Sequence, residues 1–198
     1  MTDCYNTSMP NFQPGKVVTT TQLKTGEHAQ IRYPRWQDLD RYLEFINRLS
    51  SENTFVRFSG QTVSIADEAN YLANVFSSCE LGDQVVLGAF VDDRLIANSG
   101  VERNLEDKER SRHVGKFGIA VDRDWRGRGA GQALAEAVMA EAGRQLEGLR
   151  LFHLTVFSVN QPAIALYRRL GFKEVGREPG TLKHREEYVD RLIMVRPV

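Results

Sequence analysis

The sequence predicts a single mixed α/β domain: a mixed sheet with helices on both faces. Three observations carry this. β-branched and apolar stretches run together early in the chain, as hairpin strands do. Later they alternate with amphipathic stretches of helical period, giving the order ββααβββαβαββ. No internal repeat, low-complexity tract or Pro/Gly/Ser linker interrupts residues 28–198. The chain of 198 residues is long enough for one domain with a sizeable core. Residues 1–15, polar and Pro/Asn-rich, form a flexible N-terminal segment, and residues 16–198 form the domain.

Each element has a local reason. "KVVTTTQL" and "HAQIRY" are alternating and β-branched, and Lys24-Thr25-Gly26-Glu27 between them makes a hairpin that Pro34 ends. In "RWQDLDRYLEFINRLSSE", Trp36, Leu39, Tyr42 or Leu43, Ile46 and Leu49 recur at helical spacing. "SIADEANYLANVFSSC" is a second helix, with Ser64 and Asp67 as its capping pair and Gly82 just past its end. "QVVLGAFVDDRLIANSGVE" is two apolar strands around an Asp92-Asp93 turn. "NLEDKERSR" is a charged loop and "HVGKFGIAV" a strand. A helix from about Gly129 to Leu146 carries Leu134, Val138, Ala142 and Leu146 on one stripe. "LRLFHLTVFSV" is a buried-type strand, and "NQPAIALYRRLG" a short helix with Pro162 in its first turn and Gly171 at its end. "FKEVGRE" and "EYVDRLIMVRPV" close the domain as an antiparallel pair across a "PGTLKHRE" loop.

Composition excludes several classes. Lys+Arg and Asp+Glu are both 26, so the formal charge is zero, against a whole-surface nucleic-acid or anionic-membrane binder. The N-terminus is not a secretory signal, and no apolar run is long enough to span a bilayer. Cys4 and Cys79 match neither a metal pattern nor a disulfide framework, which points to a reducing, cytoplasmic setting with no metal site.

The chemistry concentrates at "GIAVDRDWRGRGAGQ", where an apolar strand meets a helix. A helix start offers unpaired N–H groups and partial positive charge, a site for phosphate. Gly127, Gly129 and Gly131 let the backbone approach a ligand, and Arg126 and Arg128 add donors. A P-loop is excluded because Gln132 and Ala133 stand where Lys and Ser/Thr are needed. The dinucleotide fingerprint fails on Gln132, where its third glycine belongs. What remains is V-x-x-x-x-R-x-x-G-x-G, from Val121 to Gly131. The bland alternative is a Gly-rich turn with solvated arginines.

This loop, with "NQPAIALYRRLGF" downstream, resembles the GCN5-related N-acetyltransferase (GNAT) family. The likeness covers about residues 28–198 and is strongest from Val114 to Phe172. It implies a mostly antiparallel mixed sheet and an acetyl-CoA-dependent N-acetyltransferase acting on a small-molecule amine or a protein N-terminus. By the resemblance, the backbone of Ile119, Ala120 and Val121 pairs with the pantetheine arm. The amides of Arg126, Gly127, Arg128, Gly129, Ala130, Gly131 and Gln132 hold the pyrophosphate. Asn160 and the small Ala163 face the arm, and the Tyr167 hydroxyl sits by the sulfur as general acid. An amide near Ile119 serves the carbonyl oxygen.

Other readings stand beside these. Asn160 is also a good helix N-cap, and Tyr167 a plausible core tyrosine. Glu102 has family-like placement for a general base, with His113 and Glu52 as competitors. Lys116 reads as outward-facing, Cys79 as packed, His153 as core or helix-facing, and His28 and His184 as partnerless. Arg168, Arg169 and Lys173 read first as a solvated face and second as neighbours of a 3′-phosphate. A non-catalytic acyl-CoA-binding module on the same fold is the alternative function. The sequence leaves the oligomeric state open, a homodimer included.

Overall fold

The computed structural model describes residues 12–52, 55 and 60–198. Among these residues, eight strands and four helices follow the expected order. The strands are β1 (Val17–Gln22), β2 (His28–Arg32), β3 (Gln84–Val91), β4 (Arg94–Arg103), β5 (Val114–Val121), β6 (Leu151–Phe157), β7 (Lys173–His184) and β8 (Glu187–Pro197). The helices are α1 (Leu39–Ser51), α2 (Ile65–Glu80), α3 (Ala130–Gln145) and α4 (Gln161–Arg169). One sheet runs β1-β2-β3-β4-β5-β6-β8-β7, and every pairing except β5–β6 is antiparallel.

The β5–β6 pairing creates the opening. It holds only from Val114–Leu151 to Lys116–His153. Beyond that, β5 stays with β4 up to Val121 while β6 stays with β8 up to Phe157. The two parallel strands diverge, leaving a wedge in mid-sheet.

α3 covers one face. Leu134, Val138, Ala142 and Leu146 are all at most 1% exposed and pack with Ile31, Leu87 and Phe152 from the sheet. α1 and α2 cover the other, where Tyr42, Phe45, Leu49 and Leu72 meet Phe90 and Leu95. α1 is anchored to β2 by Arg32, whose guanidinium forks onto the fully buried Asp38 at 2.6 and 2.9 Å. Asp92 and Asp93 both adopt positive φ, the mirror-image turn that suits a two-residue hairpin. Ser64 and Asp67 form the expected capping box on α2.

Three expectations are corrected. The buried stripe of α1 is Tyr42, Phe45 and Leu49, with Ile46 half-buried and Trp36 about half exposed at the preceding short 3-10 turn. That turn rotates the phase set by Trp36. The "PGTLKHRE" segment is not an open loop: β7 runs on to His184 through an irregularity between Glu178 and Leu182, and the hairpin closes at Arg185, which has positive φ. Finally, the segment after residue 11 is tied down. Phe12 packs edge-on to Tyr33 at 5.2 Å and Gly15 N–H donates to the Pro34 carbonyl. Residues 1–11 of the expected flexible segment, Cys4 included, lie outside the described residues.

Candidate active site

The wedge opens into a cleft of about 930 Å³ whose floor is the diverging ends of β5 and β6 and whose wall is α4. This size suits a small-molecule cofactor or substrate.

At one end lies the glycine-arginine turn. Gly129 is the N-cap of α3 with φ 94°, Gly127 has φ 77°, and no side chain caps the helix. α3 carries no acidic residue in its first turn. Its leading N–H groups therefore face the cleft uncovered, an anion site by geometry. A Cβ on Gly131 would lie 3.2 Å from Val121 Cγ2, so its hydrogen lets α3 start hard against β5. Asp122 holds this turn in place. Its carboxylate accepts from Arg48 of α1 and Arg94 of β4, both at 2.9 Å, and from the Asp124 amide at 3.1 Å. Burial alone would raise its pKa, but these donors win and hold it below the ordinary carboxylate range.

Most expected cofactor residues come together. Ile119, Ala120, Val121, Arg126, Gly127, Gly129, Gly131, Gln132, Asn160 and Ala163 all line the cleft. Two do not. Arg128 turns away to pair with Glu27 at 3.3 Å and sit over Trp125, and Ala130 is buried in the core at 1% exposure. Arg126 reaches the cleft but is engaged, with Nε on the Val121 carbonyl at 3.0 Å and a terminal nitrogen 2.7 Å from Glu52. Asn160 does cap its helix, its Oδ1 accepting from the Ala163 amide at 3.3 Å while the residue lines the cleft.

Tyr167 lies on the wall at 7% exposure, edge-on to Phe117 and Phe172. Burial pushes its phenol up to about 12, so it stays protonated at neutral pH. Its hydroxyl has no hydrogen-bond partner among the described residues, which leaves it free to serve the cleft.

The expected bases do not line it. Glu102 is exposed on β4 opposite Lys116, and His113 is exposed before β5. Glu52 lies just outside, tied to Arg126. Lys116 pairs with Glu106 at 2.6 Å. Sequence reasoning missed Lys24, Thr155, Leu182 and Arg191, brought in from the β1–β2 turn, β6 and the β7–β8 hairpin. It also missed His184, which stacks on Phe55 at 4.7 Å beside Phe157. Nothing local marks these residues. Among the described residues no cluster could hold a metal ion, and no helix is long and apolar enough to cross a membrane.

The sheet, with a helix N-terminus facing a mid-sheet wedge, is that of the acyl-coenzyme A-dependent transferases. More particularly, the chain belongs to the Acetyltransferase (GNAT) family, whose model matches residues 34–172. It is 33% identical over 110 residues to L-amino acid N-acetyltransferase AaaT of Escherichia coli (strain K12), covering 56% of this chain and 66% of that protein. It is 32% identical over 155 residues to an N-alpha-acetyltransferase of Sulfurisphaera tokodaii, covering 78% and 86%. Among solved structures it is similar to a GNAT-family acetyltransferase from Streptococcus pneumoniae, with TM-score 0.76 at 25% identity over 86% of this chain and 99% of that one.

Proposed function

We propose that this chain transfers the acetyl group of acetyl-CoA to the primary amine of an amino acid or a protein N-terminus by direct attack, in the cytoplasm. The carrying observation is the cleft itself. It joins the uncapped α3 start to the Tyr167 hydroxyl along the unpaired edge of β5. The acceptor class is supported by relatives named for L-amino acids and for a ribosomal protein alanine.

The residues present fit acetyl-CoA. The amides at Gly129, Gly131 and Gln132 and the Lys24 side chain form the cationic end that a pyrophosphate requires. The edge of β5 at Ile119–Val121 takes the extended arm as an added strand, and Ala163 leaves room for it. Acetyl-CoA supplies an acyl group on a thiol leaving group. Tyr167 donates its proton to the departing sulfur: a thiol near pKa 8.5 is best served by an acid still protonated at neutral pH. An amide on β5 near Ile119 stabilises the carbonyl oxygen as charge develops.

The test is calorimetric titration with acetyl-CoA, followed by thiol release over a panel of free amino acids and N-terminal peptides. Binding with turnover on one of these acceptors is expected. Binding without turnover on any amine would make the chain an acyl-CoA-binding module. Absence of binding would remove both readings.

A further inference from the structure

We infer that Arg191 of β8 holds the carboxylate of the acceptor, which makes the acceptor a free amino acid with an apolar side chain. This rests on the acetyl-transfer reading above and names its substrate class.

The cleft passes through the sheet, and its two sides differ in chemistry. On the α3 side stand Phe117, Ile119 and Val121 of β5. Phe117 lies edge-on to Tyr167 at 6.1 Å, and a Cβ on Gly131 of α3 would lie 3.2 Å from Val121 and 4.0 Å from Ile119. That side holds the anion-binding turn and the phenol. Gly118 and Ala120 alternate with these residues and point to the other face, where Ala120 packs on the cluster of Tyr42, Phe45 and Leu49. Lys116, two residues before Gly118, pairs with His153 of β6, so Thr155 and Phe157 lie on this second face as well. Phe157 pairs with Arg191 and Leu182 with Val189, which extends the face onto β8 and β7. Leu49, Phe55, Thr155, Phe157, Leu182 and Arg191 line the cleft there.

This second side is apolar and carries a cation. Phe55 lies 5.5 Å from Phe157 and stacks on His184 at 4.7 Å. Gly118 is an open floor, because a Cβ there would meet nothing within 4 Å. Among the described residues that line the cleft none is acidic, while Lys24, Arg126, Arg169 and Arg191 are cationic. The first three are placed elsewhere. Lys24 lies 3.6 Å from the Cβ position of Gly129, at the start of α3. Arg126 is held by the Val121 carbonyl and Glu52. Arg169 is in the last turn of α4.

Arg191 is available to a ligand. One terminal nitrogen lies 3.2 Å from Glu178, both side chains are more than a third exposed, and among the described residues this approach carries no hydrogen bond. Such an exposed pair is weak. The neighbouring Asp190 does not compete, since it accepts from Arg177 at 3.2 Å and from the Gly180 amide at 3.1 Å. A guanidinium presents paired donors that match the two oxygens of a carboxylate. An α-amino acid carries that carboxylate one carbon from its amine, so the group that holds the carboxylate also places the nitrogen. A protein N-terminus has a peptide bond there instead, and offers Arg191 no anion. Leu49, Phe55, Phe157 and Leu182 favour an apolar side chain on the same molecule.

The test compares free amino acids with their amides, which differ only at the carboxylate: L-leucine against L-leucinamide, and L-phenylalanine against L-phenylalaninamide. kcat and KM are measured for wild type, Arg191→Gln and Arg191→Lys, with acetyl-CoA affinity on each. Setting the acid-to-amide ratio of kcat/KM in a variant against that of wild type cancels the different basicity of the two amines. Arg191→Gln should raise KM for the acids and lower that ratio about 10- to 100-fold, with acetyl-CoA affinity retained and partial recovery of the ratio in Arg191→Lys. A ratio within about twofold of wild type, as a purely structural pair with Glu178 would leave it, overturns the inference. Loss of acetyl-CoA affinity in Arg191→Gln also overturns it, by giving Arg191 to the donor. Wild-type enzyme that acetylates peptide amines but no free amino acid overturns it too, and leaves acetyl transfer standing. Wild-type protein that binds acetyl-CoA but acetylates no amine overturns the function reading, and this one with it.

Discussion

At the residue scale, burial raises two acids, Tyr167 to about 12 and Glu68 to about 7, with different consequences. Tyr167 rests against Phe117 and Phe172 with its hydroxyl free, so Tyr167→Phe removes one oxygen and little packing. We expect kcat to fall about 100-fold with acetyl-CoA affinity nearly unchanged, in parallel turnover and titration measurements. Unchanged kcat would take Tyr167 out of the chemistry. Glu68 also costs stability. Its folded pKa, about 7, lies above its ordinary 4.5, so the neutral acid is tolerated at low pH and the penalty grows as pH rises through 7. Glu68→Gln should melt with wild type at pH 4.5 and gain up to about 3 kcal/mol above pH 8. An advantage independent of pH would mean that the charge is not what burial penalises. Tyr167 was visible in the sequence because it stands in "NQPAIALYRRLGF", the stretch that carries the downstream half of the resemblance. Glu68 was not, because its burial is set by how α2 packs in the fold.

At the element scale, the strand-turn-helix from β5 to α3 was the most legible part of the chain. Its glycines announce a backbone that must turn sharply and come close, and the structure gives Gly127 and Gly129 positive φ. Gly129→Asp should weaken acetyl-CoA binding by about tenfold or more, by placing negative charge at the helix start. Intact affinity in a titration would put the phosphates elsewhere. The side chains of the same turn were harder to assign. Arg126 and Arg128 look alike in the sequence, yet one lines the cleft and the other is drawn off by Glu27, about a hundred residues away. α2 depends on its start: Ser64→Ala removes the acceptor for the Asp67 amide and should cost about 1 kcal/mol in denaturant unfolding. α1 was legible as a helix but not in phase, because the short 3-10 turn at Trp36 offsets the first apolar residue from the stripe that follows.

At the scale of the whole molecule, the cleft exists because two parallel neighbours hold opposite partners and part company after three paired residues. A ligand bridging them ties together two halves of the sheet. Acetyl-CoA at about 100 times its Kd should therefore stabilise the fold by about 2.7 kcal/mol and raise Tm by roughly 5–10 °C in a thermal scan. A flat Tm at that excess would exclude binding to the folded cleft. The sequence by itself determined the order of elements, the backbone of the glycine-arginine turn and the short helix that carries Asn160, Ala163 and Tyr167. These depend on contacts within one or two turns of chain, where periodicity and glycine placement speak directly. Only the tertiary structure decided which charges are free. Asp122 gathers arginines from α1 and β4, Lys24 reaches the cleft from a distant hairpin, and Glu27 draws Arg128 away from it. An ion pair is a property of two positions brought together in space, and the spacing of residues along a chain does not carry it.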